Sequence, residues 1–111
     1  MTRRIRLESD WGLPPFYLDM GDGRLEGCSA DNLARIFGLP EHVISALQEW
    51  DRLYQDILDW DDPRNSAWAG PEDERRYVDR GRAAARLLRR HLPDDVRIEY
   101  AGAGTIPPEY Y

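Results

Sequence analysis

The sequence predicts a two-layer α+β domain, in which a small antiparallel sheet is covered on one face by two long antiparallel helices. Charged and aliphatic residues alternate near both ends of the chain, as is typical of half-buried strands. Between these ends, two long segments repeat apolar residues at intervals of three and four, as amphipathic helices do. We place one domain over residues 1–100 and expect residues 101–111, with two glycines and two prolines, to form an irregular tail.

The N-terminal part predicts a strand and then a short hairpin. Residues 3–9 alternate arginines with Ile5 and Leu7, and residues 16–20 alternate again after a Pro-Pro break. The Gly-Asp-Gly that follows predicts a tight turn, because glycine accepts a positive φ without steric cost. The last strand is predicted over residues 96–100, and we expect it to pair with a strand of the N-terminal half.

Three helices are predicted between the hairpin and the last strand. A short one covers residues 30–37, with Ser29 as its N-cap and Gly38 at its end. The first long helix covers residues 42–60, whose apolar side chains form one continuous stripe. The second covers residues 71–92 and begins with a proline and an acidic first turn.

The inner face of the second long helix carries small residues at Gly81, Ala84 and Ala85. A neighbouring element can approach closely where side chains are small. We expect Trp50 and Tyr54 to fill this space, because both are bulky and lie on the apolar stripe of the first long helix.

The composition restricts the class of function. With 111 residues, a net charge of −6 and a pI of about 4.8, the chain is one acidic domain. This charge disfavours nucleic acid and anionic membranes and favours a basic protein partner. Cys28 is the single cysteine, so an internal disulfide is excluded. We expect neither a signal peptide nor a membrane span, and a cytoplasmic location.

The segment DWDDPRNSAWAG connects the two long helices and concentrates acidic and aromatic side chains. From residue 41 to residue 62 there are seven acids and one arginine. Tryptophan is enriched in binding hot spots, where it supplies a large buried area in a fixed shape. The alternative is a plain connection whose two tryptophans fold back over the helix ends. We predict a partner-binding surface made of Glu49, Asp56, Asp59, Trp60, Asp61, Asp62 and Trp68.

The aspartates of this segment match no metal or catalytic motif. Counted from Asp59, an EF-hand loop needs glycine at its sixth position and glutamate at its twelfth, where the chain has Arg64 and Gly70. His42 and His91 lie on different predicted helices without a Cys-x-x-Cys motif, which disfavours zinc. Neither G-x-S-x-G nor a P-loop occurs. We assign no catalytic residue, metal ligand or cofactor, and keep a small enzyme or metal-dependent site on these aspartates as an alternative.

The second long helix is locally basic, with seven arginines and one acid between residues 75 and 90. Such a stripe is typical of phosphate binding. Intrahelical partners are available, since Glu72 is spaced to reach Arg76 and Asp79 is spaced to reach Arg82. A regulatory module that binds nucleic acid is therefore a further alternative, which the negative total charge disfavours. The opposite charges of the two helices also allow self-association, including as a homodimer.

A series of motifs runs over residues 10–100: DWG, LPP and FYL, then GLPEHVISALQEWDRLY, then DDP, then RGRAAARLLRRHLPDDVRIEY. This series resembles a group of small uncharacterised actinobacterial proteins. Those proteins carry a D-Y/W-G opening, a helix that begins after glycine-leucine, and a final helix before a terminal strand. Asp79-Arg80-Gly81 stands where the group more often has Glu-Gly. The resemblance implies packing and turn positions, and it implies no activity.

We therefore predict a non-enzymatic protein-binding module that engages a basic protein through the residues around Trp60 and Trp68. An immunity or antitoxin role is one instance of such a function, by analogy with small acidic immunity proteins. The acidic side chains would steer association, and burial of the aromatic rings would hold the complex.

Overall fold

The computed structural model describes residues 2–58, 61–62 and 66–111. Within these residues, three helices pack on one face of a five-stranded mixed sheet, so the predicted α+β class is confirmed. The order along the chain is β1 (Arg3–Leu7), β2 (Phe16–Asp19), β3 (Glu26–Cys28), α1 (Ala30–Phe37), α2 (Glu41–Gln55), α3 (Pro71–Arg90), β4 (Val96–Tyr100) and β5 (Glu109–Tyr110).

The sheet has the strand order β3-β2-β1-β4-β5 and differs from the antiparallel sheet predicted from sequence. β1 and β4 pair in parallel, with Arg3 opposite Val96 and Leu7 opposite Tyr100. The other three pairs are antiparallel. The prediction is wrong at β4 because side chains alternate with the same period in parallel and antiparallel strands. Strand direction depends on the path of the chain through the helices, which the alternation does not contain.

The end of the chain is more regular than the predicted irregular tail. Turns over residues 102–105 are followed by β5, which pairs with β4. Arg82 of α3 donates through Nε and Nη2 to the carboxylate of Glu109, at 2.8 to 3.2 Å. The backbone N–H of Tyr111 donates to the carbonyl oxygen of Ile98 at 3.0 Å. These contacts are long-range, so the local content of glycine and proline does not reveal them.

The core lies between the sheet and the helices. Ile5 and Leu7 of β1 are fully buried on the face that the helices cover. Trp50 of α2 lies among them and is 1% exposed. Its ring stacks on that of Tyr77 with 5.6 Å between centroids and meets Tyr100 edge-on at 5.5 Å. This buried aromatic group joins α2, α3 and β4.

The space beside Gly81 is filled from the sheet. A Cβ atom at Gly81 would lie 2.1 Å from the hydroxyl oxygen of Tyr100. That hydroxyl donates to the backbone carbonyl oxygen of Val78 at 3.0 Å. At Gly81 the expectation that Trp50 and Tyr54 fill the space is therefore wrong. The residue that does so comes from β4. The predicted pairing of this strand with a strand of the N-terminal half is confirmed by its pairing with β1.

The helix ends agree with the prediction at α1 and differ at the two long helices. Ser29 caps α1 by accepting the N–H of Asn32 at 3.1 Å, and Gly38 ends it with a φ of 64°. α2 ends at Gln55, earlier than predicted, and α3 ends at Arg90. After α2 the chain makes two i→i+3 hydrogen bonds, which tighten its last turn before residues 59 and 60, which lie outside the described residues.

Candidate partner-binding surface

Three of the predicted binding residues meet at a groove between α2 and α3. Glu49 is exposed on α2 and Asp56 is exposed at its C-cap, seven residues later, so the two lie on the same side of the helix. Trp68 lies just before α3. A cavity of about 400 Å³ adjoins Trp68, and a second hollow of about 430 Å³ adjoins Glu49. Because both are lined by Leu53, Asp56 and Arg76, they form one continuous feature, the α2–α3 groove.

Trp68 forms a wall of this groove. Its side chain is half buried, and its ring lies 5.1 Å from that of Tyr77 and 6.2 Å from that of Tyr54. For Trp68, this arrangement matches the alternative in which the tryptophans fold back over the helix ends. The contacts fix the indole ring, so that one of its surfaces can face a partner without further ordering. Trp60, the second predicted tryptophan, lies outside the described residues.

Trp11 completes the aromatic cluster at this end of α2. Its ring stacks on that of Tyr54, with 5.3 Å between centroids and 15° between planes. Gln55 holds the loop of Trp11 in place: its Oε1 accepts the N–H of Gly12 at 3.1 Å, and its Nε2 donates to the carbonyl oxygen of Asp10 at 2.8 Å. Sequence reasoning missed this contact because residues 11 and 54 share no spacing pattern.

The acidic residues of the surface differ in their surroundings. Among the described residues, Glu49 and Asp56 take part in no ion pair. Asp61 and Asp62 are exposed on the connection between the helices, while Asp59 lies outside the described residues. The groove therefore carries two exposed carboxylates, those of Glu49 and Asp56, and the guanidinium groups of Arg52, Arg76 and Arg80 line it as well.

Asp51, which also lies in the acidic stretch, does not belong to this surface. Burial raises the pKa of Asp51, and the side-chain amide of Gln55, 3.3 Å away, partly offsets that effect. Asp51 is half buried. Asp51 therefore contributes to packing and hydrogen bonding inside the fold, unlike the exposed acids on the same helix.

Two arginines of α3 form hydrogen bonds or ion pairs within the protein. Arg82 pairs with Asp79 at 3.1 Å, as predicted, and also with Glu109. Arg89 donates to backbone carbonyl oxygens after α3 and at the chain end, among them those of Leu92 and Tyr111. These two arginines hold the C-terminal segment against the sheet, so they are not free to form a continuous phosphate-binding stripe.

The histidines are closer in space than their positions in the sequence suggest. His42 lies in the first turn of α2 and His91 follows α3, and their ring centroids lie 5.3 Å apart. No group of three or more His, Cys, Asp or Glu side chains within residues 2–58, 61–62 and 66–111 is arranged to hold a metal ion. In that same part of the chain, no helix has the length and apolar character of a membrane span.

The fold is that of a small two-layer α+β protein, and its groove combines exposed carboxylates and guanidinium groups with an aromatic wall. A family model described as Serratia CdiI immunity protein-like matches residues 3–103. The match covers nearly the whole chain, so the chain belongs to this family. No curated protein matches the chain. Membership confirms the prediction of an immunity-type protein that acts by binding a partner, whereas the actinobacterial resemblance stays a prediction.

Proposed function

We propose that this immunity protein neutralises a toxin with a basic surface, and that the toxin binds at the α2–α3 groove. Membership of an immunity-protein family implies a protein toxin as the partner. The observation that carries the proposed location is the pair of exposed carboxylates of Glu49 and Asp56, which form no ion pair among the described residues, beside an aromatic wall. The net charge of −6 supports a basic partner, because the total field of the chain attracts positive surfaces.

The acidic and aromatic residues would act at different stages of binding. Glu49, Asp56, Asp59, Asp61 and Asp62 would raise the association rate, since long-range attraction steers diffusing partners together. Trp60 and Trp68 would lower the dissociation rate, since buried aromatic area has to be re-solvated when the complex opens. Mutations of the acidic residues should therefore change mainly the association rate, whereas mutations of the tryptophans should change mainly the dissociation rate.

The test begins with capture of the partner from a lysate of the source organism. The wild-type chain is compared with a groove variant, which carries Glu49→Gln and Asp56→Asn in the groove and Asp61→Asn and Asp62→Asn on the connection between the two helices. The control variant changes four exposed acids outside the groove by the same charge: Asp22→Asn, Glu26→Gln, Asp31→Asn and Asp94→Asn. We expect the wild type and the control to retain a basic protein that the groove variant loses.

The captured protein must then behave as a toxin. Its expression alone should arrest growth, and co-expression with the wild-type chain or the control variant should restore growth. Equal protection by the groove variant would contradict the proposed location of binding. Failure of the wild-type chain to protect would show that the captured protein is not its toxin.

Two further sequence predictions accompany this proposal. The cytoplasmic location and a homodimer formed through oppositely charged faces both stay predictions. If the homodimer uses the acidic side of α2, toxin binding should dissociate it, because both partners would occupy the same surface.

A further inference from the structure

We propose that the cavity beside Trp68 is a pocket for a single arginine side chain of the bound toxin. This inference rests on the proposed function and adds to it the chemistry of one contact. The cavity has a volume of about 400 Å³, within the range of sites that enclose a small ligand group. The cavity is lined in part by Leu53, Asp56, Ile57, Trp68, Asp73 and Arg76.

The walls of the pocket fit the two parts of an arginine side chain. Leu53 and Ile57 offer aliphatic surface, which the three methylene groups of an arginine can cover. Trp68 also lines the cavity, and a planar guanidinium stacks favourably on an indole ring. Because Tyr54 and Tyr77 already fix this indole ring, binding would not have to order it.

The charges at the pocket favour a cation that can form several hydrogen bonds. Asp56 lies in the lining and forms no ion pair among the described residues. Asp73 lies 3.8 Å from Nη1 of Arg76, a distance longer than a hydrogen bond. Both carboxylates can therefore accept hydrogen bonds from an entering guanidinium, which presents five N–H donors in a fixed geometry.

The other half of the groove has the opposite balance of charge. The hollow beside Glu49 is lined by the carboxylates of Glu49 and Asp56 and by the guanidinium groups of Arg52, Arg76 and Arg80. The cavity beside Trp68 has two carboxylates and one guanidinium. An arginine side chain is therefore favoured at the Trp68 end over the Glu49 end, where guanidinium groups outnumber carboxylates.

The proposal predicts that replacing Arg76 strengthens the binding of a guanidinium ligand. Its guanidinium lies beside Asp73 and in the lining of both hollows, so it competes with an entering cation for the same carboxylate. Removal of this competitor should tighten the binding of a guanidinium ligand. Arg75 provides the matched control, because it carries the same charge on the same helix and does not line the cavity.

The probe is N-acetyl-L-arginine methylamide, added to the ¹⁵N-labelled full chain at low ionic strength and followed by NMR. The control ligand is N-acetyl-L-norleucine methylamide, which has an aliphatic side chain without charge. With the arginine ligand, we expect chemical-shift changes that saturate for the indole N–H of Trp68 and for the backbone amides of Leu53 and Ile57. The norleucine ligand should not produce these changes. The indole signal is assigned with Trp68→Phe.

The variants test the charges one at a time. We expect Asp56→Asn combined with Asp73→Asn to weaken binding of the arginine ligand about fivefold, as expected for a loss of exposed ion pairs. Arg76→Gln should tighten it about twofold or more, whereas Arg75→Gln should leave it within about twofold of wild type. The proposal is overturned if no shift saturates, if the norleucine ligand gives the same shifts, or if Arg76→Gln binds no more tightly than Arg75→Gln.

The arginine pocket and the proposed function can fail independently in these experiments. A toxin that depends on the groove acids, combined with an arginine ligand that does not bind, would overturn the pocket and leave the proposed function standing. A toxin that the groove variant binds as well as wild type does would overturn the proposed function, whatever the arginine ligand does.

Discussion

The indole ring of Trp68 packs against the phenol ring of Tyr77, with 5.1 Å between their centroids and 37° between their planes. Tyr77 is 1% exposed and stacks on Trp50 in the core. The connection between α2 and α3 is therefore anchored to the core through a residue that the sequence predicted as a partner contact. The same indole ring can serve both purposes, because it is only half buried.

Replacement of Trp68 should therefore affect stability as well as binding. We expect Trp68→Ala to lower the free energy of unfolding by about 1–3 kcal/mol, less than for a fully buried aromatic residue. It should also speed dissociation of the toxin. Trp68→Phe, which keeps a ring against Tyr77, should retain most of the stability in urea titrations followed by circular dichroism. An unchanged midpoint for Trp68→Ala would show that the ring does not pack as described.

Addition of one methyl group at Gly81 should disturb the core. The Cβ of Gly81→Ala would overlap the ring of Tyr100, since its distance to the hydroxyl oxygen would be 2.1 Å. We expect a loss of about 1–3 kcal/mol in the free energy of unfolding, the usual result of overpacking. Gly27→Ala is the control, because a Cβ there meets no atom within 4 Å. Equal effects of the two substitutions in thermal unfolding would contradict the described packing.

The carboxylate of Asp19 should make stability depend on pH in the acidic range. The backbone N–H of Gly21 holds the pKa of Asp19 below its usual range, aided by the guanidinium of Arg4 at 3.1 Å and the N–H of Gly23. A lowered pKa in the folded state means that this stabilisation is present above the unfolded pKa of about 3.9 and is lost as pH falls through the folded pKa.

This dependence is measured by comparing melting temperatures of wild type and Asp19→Asn between pH 7 and pH 2.5. We expect the variant to melt lower at pH 7 and the difference to shrink as the wild-type carboxylate becomes protonated. Asp22→Asn, in the same turn, serves as a control for general effects of charge. A difference that stays constant over the whole range would contradict the role given to Asp19.

The ion pair between Arg82 and Glu109 should keep the last strand in the sheet. We expect Glu109→Gln to speed hydrogen exchange of the Tyr111 amide, which donates to the carbonyl oxygen of Ile98 in the present fold. Amides of β1 should be unaffected, because β1 lies on the other side of β4. Exchange that rises equally in β1 and at Tyr111 would indicate global destabilisation and not release of the strand.

The parts of the fold that depend on local pattern could be predicted from sequence. Helix α1 has its predicted bounds because Ser29 and Gly38 act through neighbouring backbone groups. The parallel pairing of β4 and the strand at the chain end could not be predicted, because both depend on contacts between distant segments. The contact between Trp11 and Tyr54 was missed for the same reason.

The candidate site was predictable in part. The acidic stretch and the tryptophans pointed to the end of α2, where Glu49, Asp56 and Trp68 do share one groove. The contributions of Arg76 and Asp73 from α3 could not be foreseen, because they depend on how the two helices pack. Contact with a partner stays a prediction for all seven residues, and Asp59 and Trp60 also lie outside the described residues.

The central claim is that the toxin binds through the acids of the α2–α3 groove, and stopped-flow association kinetics test it most directly. The measurement compares wild type, the groove variant and the control variant with the captured toxin at several salt concentrations. We expect the groove variant to associate about tenfold or more slowly at low salt, with a much weaker salt dependence, because electrostatic steering is lost. The control variant should stay close to wild type. Equal slowing in the two variants would mean that only total charge matters, and it would contradict binding at the groove.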